Sequence, residues 1–420
     1  MSRFSVSRCS SYRRLLVATG VSSLGDGVRL VAMPLLATSL TDDPRLITGV
    51  FVADRLPWLL FLLPGGALAD RFDRLRMRVL LDAFRAVLGV VFVAIIATGQ
   101  MSLAIVFLIT ILMASADAFV DSSSMALVPA LAEPEQMEEA IGQLQSTEIV
   151  TRDLIGPAVG GVLFAAGLTA PMVLDTVSFA VSAAVAATIG GTFRATRSLT
   201  AARSRPGVGA AVREMSESIR DGLTWLLREP ALRSLAALST LLCTVSMMSV
   251  SVFVVFATDD LRLGATGFGL LMIPSAVGGL VGAWMAPRLR HLPLGAAAGA
   301  AVVIAGVADI MMAYVGAIVV IAVLLMVDTA GVLVWNVLTV AYRQRAIPDE
   351  LLGRVNSSYR FLLSLGAPFG AVIGGVLASA YGARTTLAIA GTACCCGGVV
   401  AAVVIGRTIG PRPLAVAAVT

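Results

Sequence analysis

Apolar stretches about twenty residues long recur along the entire chain, and each is long enough to cross ~30 Å of hydrocarbon as a helix. Set between charged or Gly/Pro-bearing turns, they fall at 15–40, 46–69, 79–99, 102–129, 139–166 and 170–192, then at 232–257, 265–287, 294–314, 316–341, 355–379 and 385–406. No soluble core could bury a dozen such runs. Only 14% of the residues are charged and 58% are hydrophobic, whereas soluble domains carry about a quarter charged residues. The fold class expected is an all-α membrane protein with twelve transmembrane helices in two six-helix halves.

Arginine placement orients the spans, because loops facing the cytoplasm are enriched in basic residues. If both ends of the chain are cytoplasmic, that side receives Arg13 and Arg14, the group Arg71, Arg74, Arg76 and Arg78, and the arginines of the central polar stretch. It also receives Arg288, Arg290, Arg343, Arg345, Arg354 and Arg407. The opposite turns hold only Arg45, Arg262 and Arg384. The expectation is therefore a multi-pass protein of the inner (plasma) membrane with cytoplasmic N and C termini.

The polar stretch divides the spans six and six. The domains expected are 1–192, a linker at 193–231, and 232–420. Within the linker, "VREMSESIRDGLTWLL" places Val212, Met215, Ile219, Leu223 and Leu226 on one face and charges on the other. That pattern predicts an amphipathic helix on the inner membrane surface. The halves also carry traces of duplication. One sequence offset takes Pro134 to Pro348, Gly156 to Gly370 and Gly160-Gly161 to Gly374-Gly375, which is the mark left by duplicated transporter folds.

Against this oily background, "GGALADRFDRLRMR" (65–78) gathers two acids and four arginines into one turn. It resembles the signature between spans two and three of the major facilitator superfamily, with Gly66, Leu68, Asp70, Arg71 and Arg74 matching and Asp73 standing where a glycine is usual. "RQRAIPDELLGRV" (343–355), "LGDG" in the first span and "LTDDP" after it resemble the branch that contains macrolide-efflux proteins and the enterobactin exporter. "GPAVGG", comprising Gly156, Pro157, Gly160 and Gly161, is similar to that superfamily's antiporter motif, although Arg152 replaces an expected glycine. The resemblance implies alternating access between two halves and export in exchange for protons.

On this reading Gly66, Asp70, Arg71, Arg74 and Asp121 form a cytoplasmic latch, with Arg74 facing Asp121, and the alternative is that the arginines only signal topology. The glycines of the fifth span have a second reading as a close helix-packing surface.

Ionisable side chains at membrane depth are costly and mark functional sites. Asp26 and Arg29 share one side of the first span, Glu148 and Arg152 are spaced to pair in the fifth with Asp153 adjacent, and Asp54-Arg55 and Asp117 lie within the second and fourth. Asp328 sits mid-span in the tenth, followed by Trp335 and Asn336. A proton-coupling carboxyl must change protonation as its exposure alternates, and a neighbouring arginine opposes that by favouring the charged form. Asp328, with no basic residue near it in sequence, and Asp26 are the proton-coupling candidates. The others are candidates for cavity or gate, or for internal salt bridges that hold helices together.

No His, Cys and acidic residues have metal-ligand spacing, and no phosphate-binding loop is present. Neither a metal nor a cofactor is expected, and no enzyme activity. The partners implied are a small-molecule substrate, protons and the lipid bilayer, without nucleic acid, and with the chain working as a monomer. The function expected is proton-coupled efflux of amphipathic small molecules such as antibiotics, siderophores or secondary metabolites. A facilitator or importer of the same fold, or a non-transporting membrane receptor or scaffold, are the alternatives.

Overall fold

A computed structural model of the chain describes residues 10–69, 73–133, 136–191, 193, 217 and 220–409. Among these residues the secondary structure is helical. In hydrocarbon the backbone has no water to bond, so each apolar run satisfies its own N–H and C=O groups as a helix. The first six helices are α1 (Ser10–Thr38), α2 (Pro44–Ala69), α3 (Arg74–Ala97), α4 (Leu103–Leu131), α5 and α6 (Ala170–Ala187). α5 runs as an α-helix over Met137–Glu148, as a π-helix over Ile149–Ile155, and as an α-helix again over Gly156–Ala166. The second six are α7 (Pro230–Val255, continued by a π turn at Phe256–Asp260), α8 (Ala265–Met285, with a 3₁₀ turn at Ala286–His291), α9 (Leu294–Tyr314), α10 (Ile318–Ala346), α11 (Asp349–Tyr381) and α12 (Ala383–Ile409). Eleven of the twelve are long and apolar enough among the described residues to cross a membrane. α2, with 26 residues, completes the set.

Local sequence explains where the helices begin and end. Asp73 caps α3 by accepting a hydrogen bond from the Arg76 backbone N–H at 3.0 Å, and its other oxygen accepts from the Phe193 N–H at 2.9 Å. Ser102 caps α4 in the same way. α11 stops at Gly382, whose φ of 84° is one that a side chain would resist. Several helices outrun their apolar cores: α3 starts at Arg74 and α10 extends to Ala346, so charged ends project beyond the hydrocarbon-length stretch.

The helices gather into two compact units. One contains α1, α2 from Leu56 onward, and α3 to α6; the other contains Thr41–Arg55 and α7 to α12. In the first, α1 packs on α5 and α6, and α3 on α4 and α6. In the second, α9 packs on α12, α7 on α11, and α8 on α10. The α9–α12 contact is backbone-close: a Cβ on Gly306 would come within 2.6 Å of the Gly391 carbonyl oxygen, and one on Gly398 within 2.8 Å of that of Gly299. Small residues permit such approach between membrane helices. Large apolar side chains such as Leu80, Val87 and Val319 are 64–78% exposed, which suits contact with acyl chains rather than water.

The linker helix departs from the membrane-surface expectation. Residues 220–228 are helical, and Leu226 is fully buried in protein, in a cluster with Leu232, Ala236, Ile347, Val355 and Tyr359. Gly222 lies against the backbone of Arg354 and the hydroxyl of Ser358 on α11. This part of the apolar face is covered by α7, α10 and α11, which offer a closer-packed surface than lipid. Val212, Met215 and Ile219 lie outside the described residues.

Candidate functional site

Two groups of acids lie within the helix bundles, and they differ in what surrounds them. In the first unit, α1, α3, α4 and α6 each carry charge inward. Arg85 on α3 is fully buried and acts as a hub. It donates to Ser22 at 2.9 Å, to Asp117 at 2.6 Å, to Asp26 at 3.4 Å and to Asp82, and it lies 4.0 Å from the Phe179 ring centroid. Arg29 on α1 donates to Asp26 at 2.9 Å and to Asp117 at 2.5 Å, with Asp175 of α6 at 3.6 Å. Arg78, one turn from Asp82, reaches Ser124 on α4 and Ser182 on α6, and Ser182 in turn donates to Asp82 at 2.7 Å. Planar guanidinium forks suit such multidentate bonding. The four helices are thereby cross-linked by charge-assisted hydrogen bonds.

The glycine motif of α5 lies beside this network. A Cβ on Gly156 would come within 2.6 Å of the Gly27 Cα, and one on Gly160 within 2.7 Å of the Val28 carbonyl oxygen. Gly27 meets the backbone of Arg152 in return. Pro157 and Gly161 are buried in the same stretch. "GPAVGG" is thus the surface on which α1 seats, at the residues flanking Asp26 and Arg29. In the second unit, Gly370 and Gly374 of α11 meet the Thr244 and Met248 carbonyl oxygens of α7, so the repeated glycines recur in an equivalent packing role.

A π-helix runs through one expected pair. Its i→i+5 bonding begins at Ile149, just after Glu148, and changes the helical register between Glu148 and Arg152. Arg152 remains an electrostatic neighbour of Glu148, Asp121, Asp26 and Asp117. Asp153 adjoins it in the π turn.

In the second unit the arrangement is sparse. Asp309 on α9 is buried and accepts a hydrogen bond from Ser249 on α7 at 2.7 Å. Asp328 on α10 interacts with Asp309, and Cys394 on α12 faces both. No arginine acts on either carboxyl among the described residues. Trp335, two turns along α10, is 5% exposed and packs in the core formed by α7, α9, α10 and α12, whereas Asn336 is exposed.

The remaining candidates are dispersed. Asp54 and Arg55 pair with each other at 3.6 Å, partly exposed. Asp121 lies one turn beyond Asp117 on α4, and the Arg74 backbone N–H at the start of α3 bonds the Phe193 carbonyl. Gly66 lies within α2, and Asp70 and Arg71 lie outside the described residues.

Several charged residues of these clusters escape a reading of the sequence. Arg78, in sequence the last residue of the charged cytoplasmic turn, is 1% exposed within the bundle, because α3 begins before the apolar run does. Asp82, Arg85, Asp175 and Asp309 stand inside runs counted as apolar. The available signal was an ionisable residue at membrane depth, and Asp82 with Arg85 has helical i,i+3 spacing as well.

Comparison with known proteins supplies the family. The model of the transmembrane secretion effector family, within the major facilitator superfamily, matches residues 1–409. The chain is 27% identical over 385 residues to the multidrug efflux pump Tap of Mycobacterium tuberculosis, covering 89% of this chain and 88% of that protein. It is 24% identical over 284 residues to the enterobactin exporter EntS of Shigella boydii, covering 67% and 64%. Among solved structures, it is similar to a bacterial homologue of the iron transporter ferroportin in the inward-facing state (TM-score 0.67, 20% identity, 95% of this chain and 98% of that one). It is also similar to a bacterial homologue of the lysosomal transporter Spinster (TM-score 0.70, 13% identity, 97% and 99%). With a whole-length family match on a helical membrane fold, the chain belongs to the transmembrane secretion effector family of major facilitator superfamily transporters.

Proposed function

We propose that this transporter exports amphipathic small molecules from the cytoplasm of a bacterium in exchange for protons, and that Asp309 and Asp328 take up and release the proton. The observation that carries the coupling proposal is the carboxyl pair on α9 and α10, set inside a membrane-spanning bundle with no arginine acting on it among the described residues. Two interacting carboxylates in the bundle, with no arginine acting on them among the described residues, repel each other when both are ionised and lose part of their hydration. A proton held by the pair removes both penalties, and access to water from one side or the other would then govern its exchange. Asp26 has the opposite surroundings, since two guanidiniums hold it, and we assign it to the network that binds α1 to α3 and α4. Efflux is supported by the likeness to Tap and EntS.

The two six-helix halves would alternate in access, in the inner membrane, with the arginine-rich turns and both termini in the cytoplasm. The test uses inverted vesicles with an acidified interior and a panel of amphipathic antibiotics and siderophores. Compound addition is expected to collapse the pH gradient with the wild type and to leave it intact with D328N and D309N. Uptake of a compound that is independent of the gradient and unaffected by both substitutions would overturn the proposal in favour of a facilitator.

A further inference from the structure

The first unit carries more buried acid than buried base. Asp26, Asp82, Asp117 and Asp175 share Arg29, Arg78 and Arg85, and the nearby Arg152 is also shared with Asp121 and Glu148. The acids are not equally served. Asp117 accepts from two guanidiniums, Asp26 from two, and Asp82 from Arg85 and Ser182. Asp175 stands apart. It is 1% exposed, its Oδ1 has no hydrogen-bond partner, and its Oδ2 is 3.6 Å from Arg29, outside hydrogen-bond reach.

The unpartnered oxygen points at α1, where Gly25 leaves room for it: a Cβ on Gly25 would come within 2.7 Å of Asp175 Oδ1. An ionised carboxylate with one oxygen facing backbone in a membrane interior would forfeit its hydration without compensation. A neutral carboxyl at the same place forfeits far less.

We propose that Asp175 carries a proton, so that the buried cluster of the first unit is a proton-binding site separate from Asp309 and Asp328. The groups facing it are Arg29 and Asp26 from α1, Arg85 from α3 and Asp117 from α4. Loss of the proton to water would leave a full negative charge beside Arg29, which would then be drawn from Asp26 and Asp117 toward Asp175. The protonation state of Asp175 thus sets which carboxylates Arg29 holds, and with them the seating of α1 on α4 and α6. This site does not depend on the coupling role proposed for the second unit.

The test is infrared spectroscopy of the full chain in lipid bilayers at neutral pH, reading the C=O stretch of protonated carboxyls. D309N/D328N removes the second-unit pair, and the expected result is a residual protonated-carboxyl band that disappears when D175N is added. D175N alone is expected to fold and melt like the wild type, because Asn replaces a neutral acid of the same size. Absence of the residual band in D309N/D328N, or its persistence after D175N, would overturn the proposal. So would a D175N protein that fails to fold while D175E folds, since that result requires the negative charge. If the triple variant does not fold, D175N alone is compared with the wild type: loss of part of the protonated-carboxyl band supports the proposal and an unchanged band overturns it. Transport by D328N is a separate readout, so failure of either reading leaves the other standing.

Discussion

Gly156 and Gly27 meet backbone to backbone, so close that a Cβ on Gly156 would lie 2.6 Å from the Gly27 Cα. No flexible side chain is available to yield there. G156A is therefore expected to push α1 from α5 and destabilise the fold by about 1–3 kcal/mol, the range for overpacking. The shift would displace Asp26 and Arg29, so transport is expected to fall along with the melting temperature measured in detergent. An unchanged melting temperature with full transport would refute the packing account of the glycine motif.

Arg85 is fully buried, bonds side chains of α1, α3 and α4, and packs on the Phe179 ring of α6. Removing one partner of a buried ion pair leaves uncompensated charge and costs about 3–5 kcal/mol. R85M is expected to reduce folded yield severely, and R85K only partly to restore it, because an ammonium cannot reproduce the fork. Monodisperse recovery on size-exclusion chromatography is the measurement, and wild-type recovery of R85M would refute the hub.

The Arg384–Asp260 pair supplies a contrast. Its N–O distance is 2.8 Å, but the two side chains are 38% and 27% exposed. Partly solvated pairs contribute about 0–1 kcal/mol. D260N is expected to shift the melting temperature little and to leave transport intact, and a collapse as deep as that of R85M would contradict a hierarchy set by burial.

The linker helix rests on α11 through Gly222 and Leu226. L226A should open a cavity costing about 2–5 kcal/mol locally, and protease cleavage near 220–228 should accelerate before any loss of the transmembrane fold. L223A, at a position only partly buried, should have a smaller effect. Equal cleavage of both variants and wild type would favour a helix held by lipid alone.

How far sequence carried the description differs between span and site. Each span was legible because hydrocarbon demands about twenty apolar residues in a row, a condition local to the chain. The glycine motif was legible as a motif, and its seat on Gly27 and Val28 was not, since nothing in the spacing says which helix will lie against it. Asp328 stood out for lacking a basic neighbour in sequence, yet its actual neighbour, Asp309, comes from the preceding helix. Asp26 already had Arg29 three residues along the same helix, and the structure sets Arg85 beside it as well.

Sequence by itself determined a twelve-span helical membrane protein and pointed to its superfamily, because the length, polarity and punctuation of each span are properties of contiguous residues. Only the tertiary structure decided which charges are paired. Asp117 meets Arg29 and Arg85 across helices, whereas among the described residues no arginine acts on Asp309 or Asp328. In a low-dielectric interior an acid's behaviour depends on what lies within a few ångströms, and those neighbours are brought in by packing from distant parts of the chain.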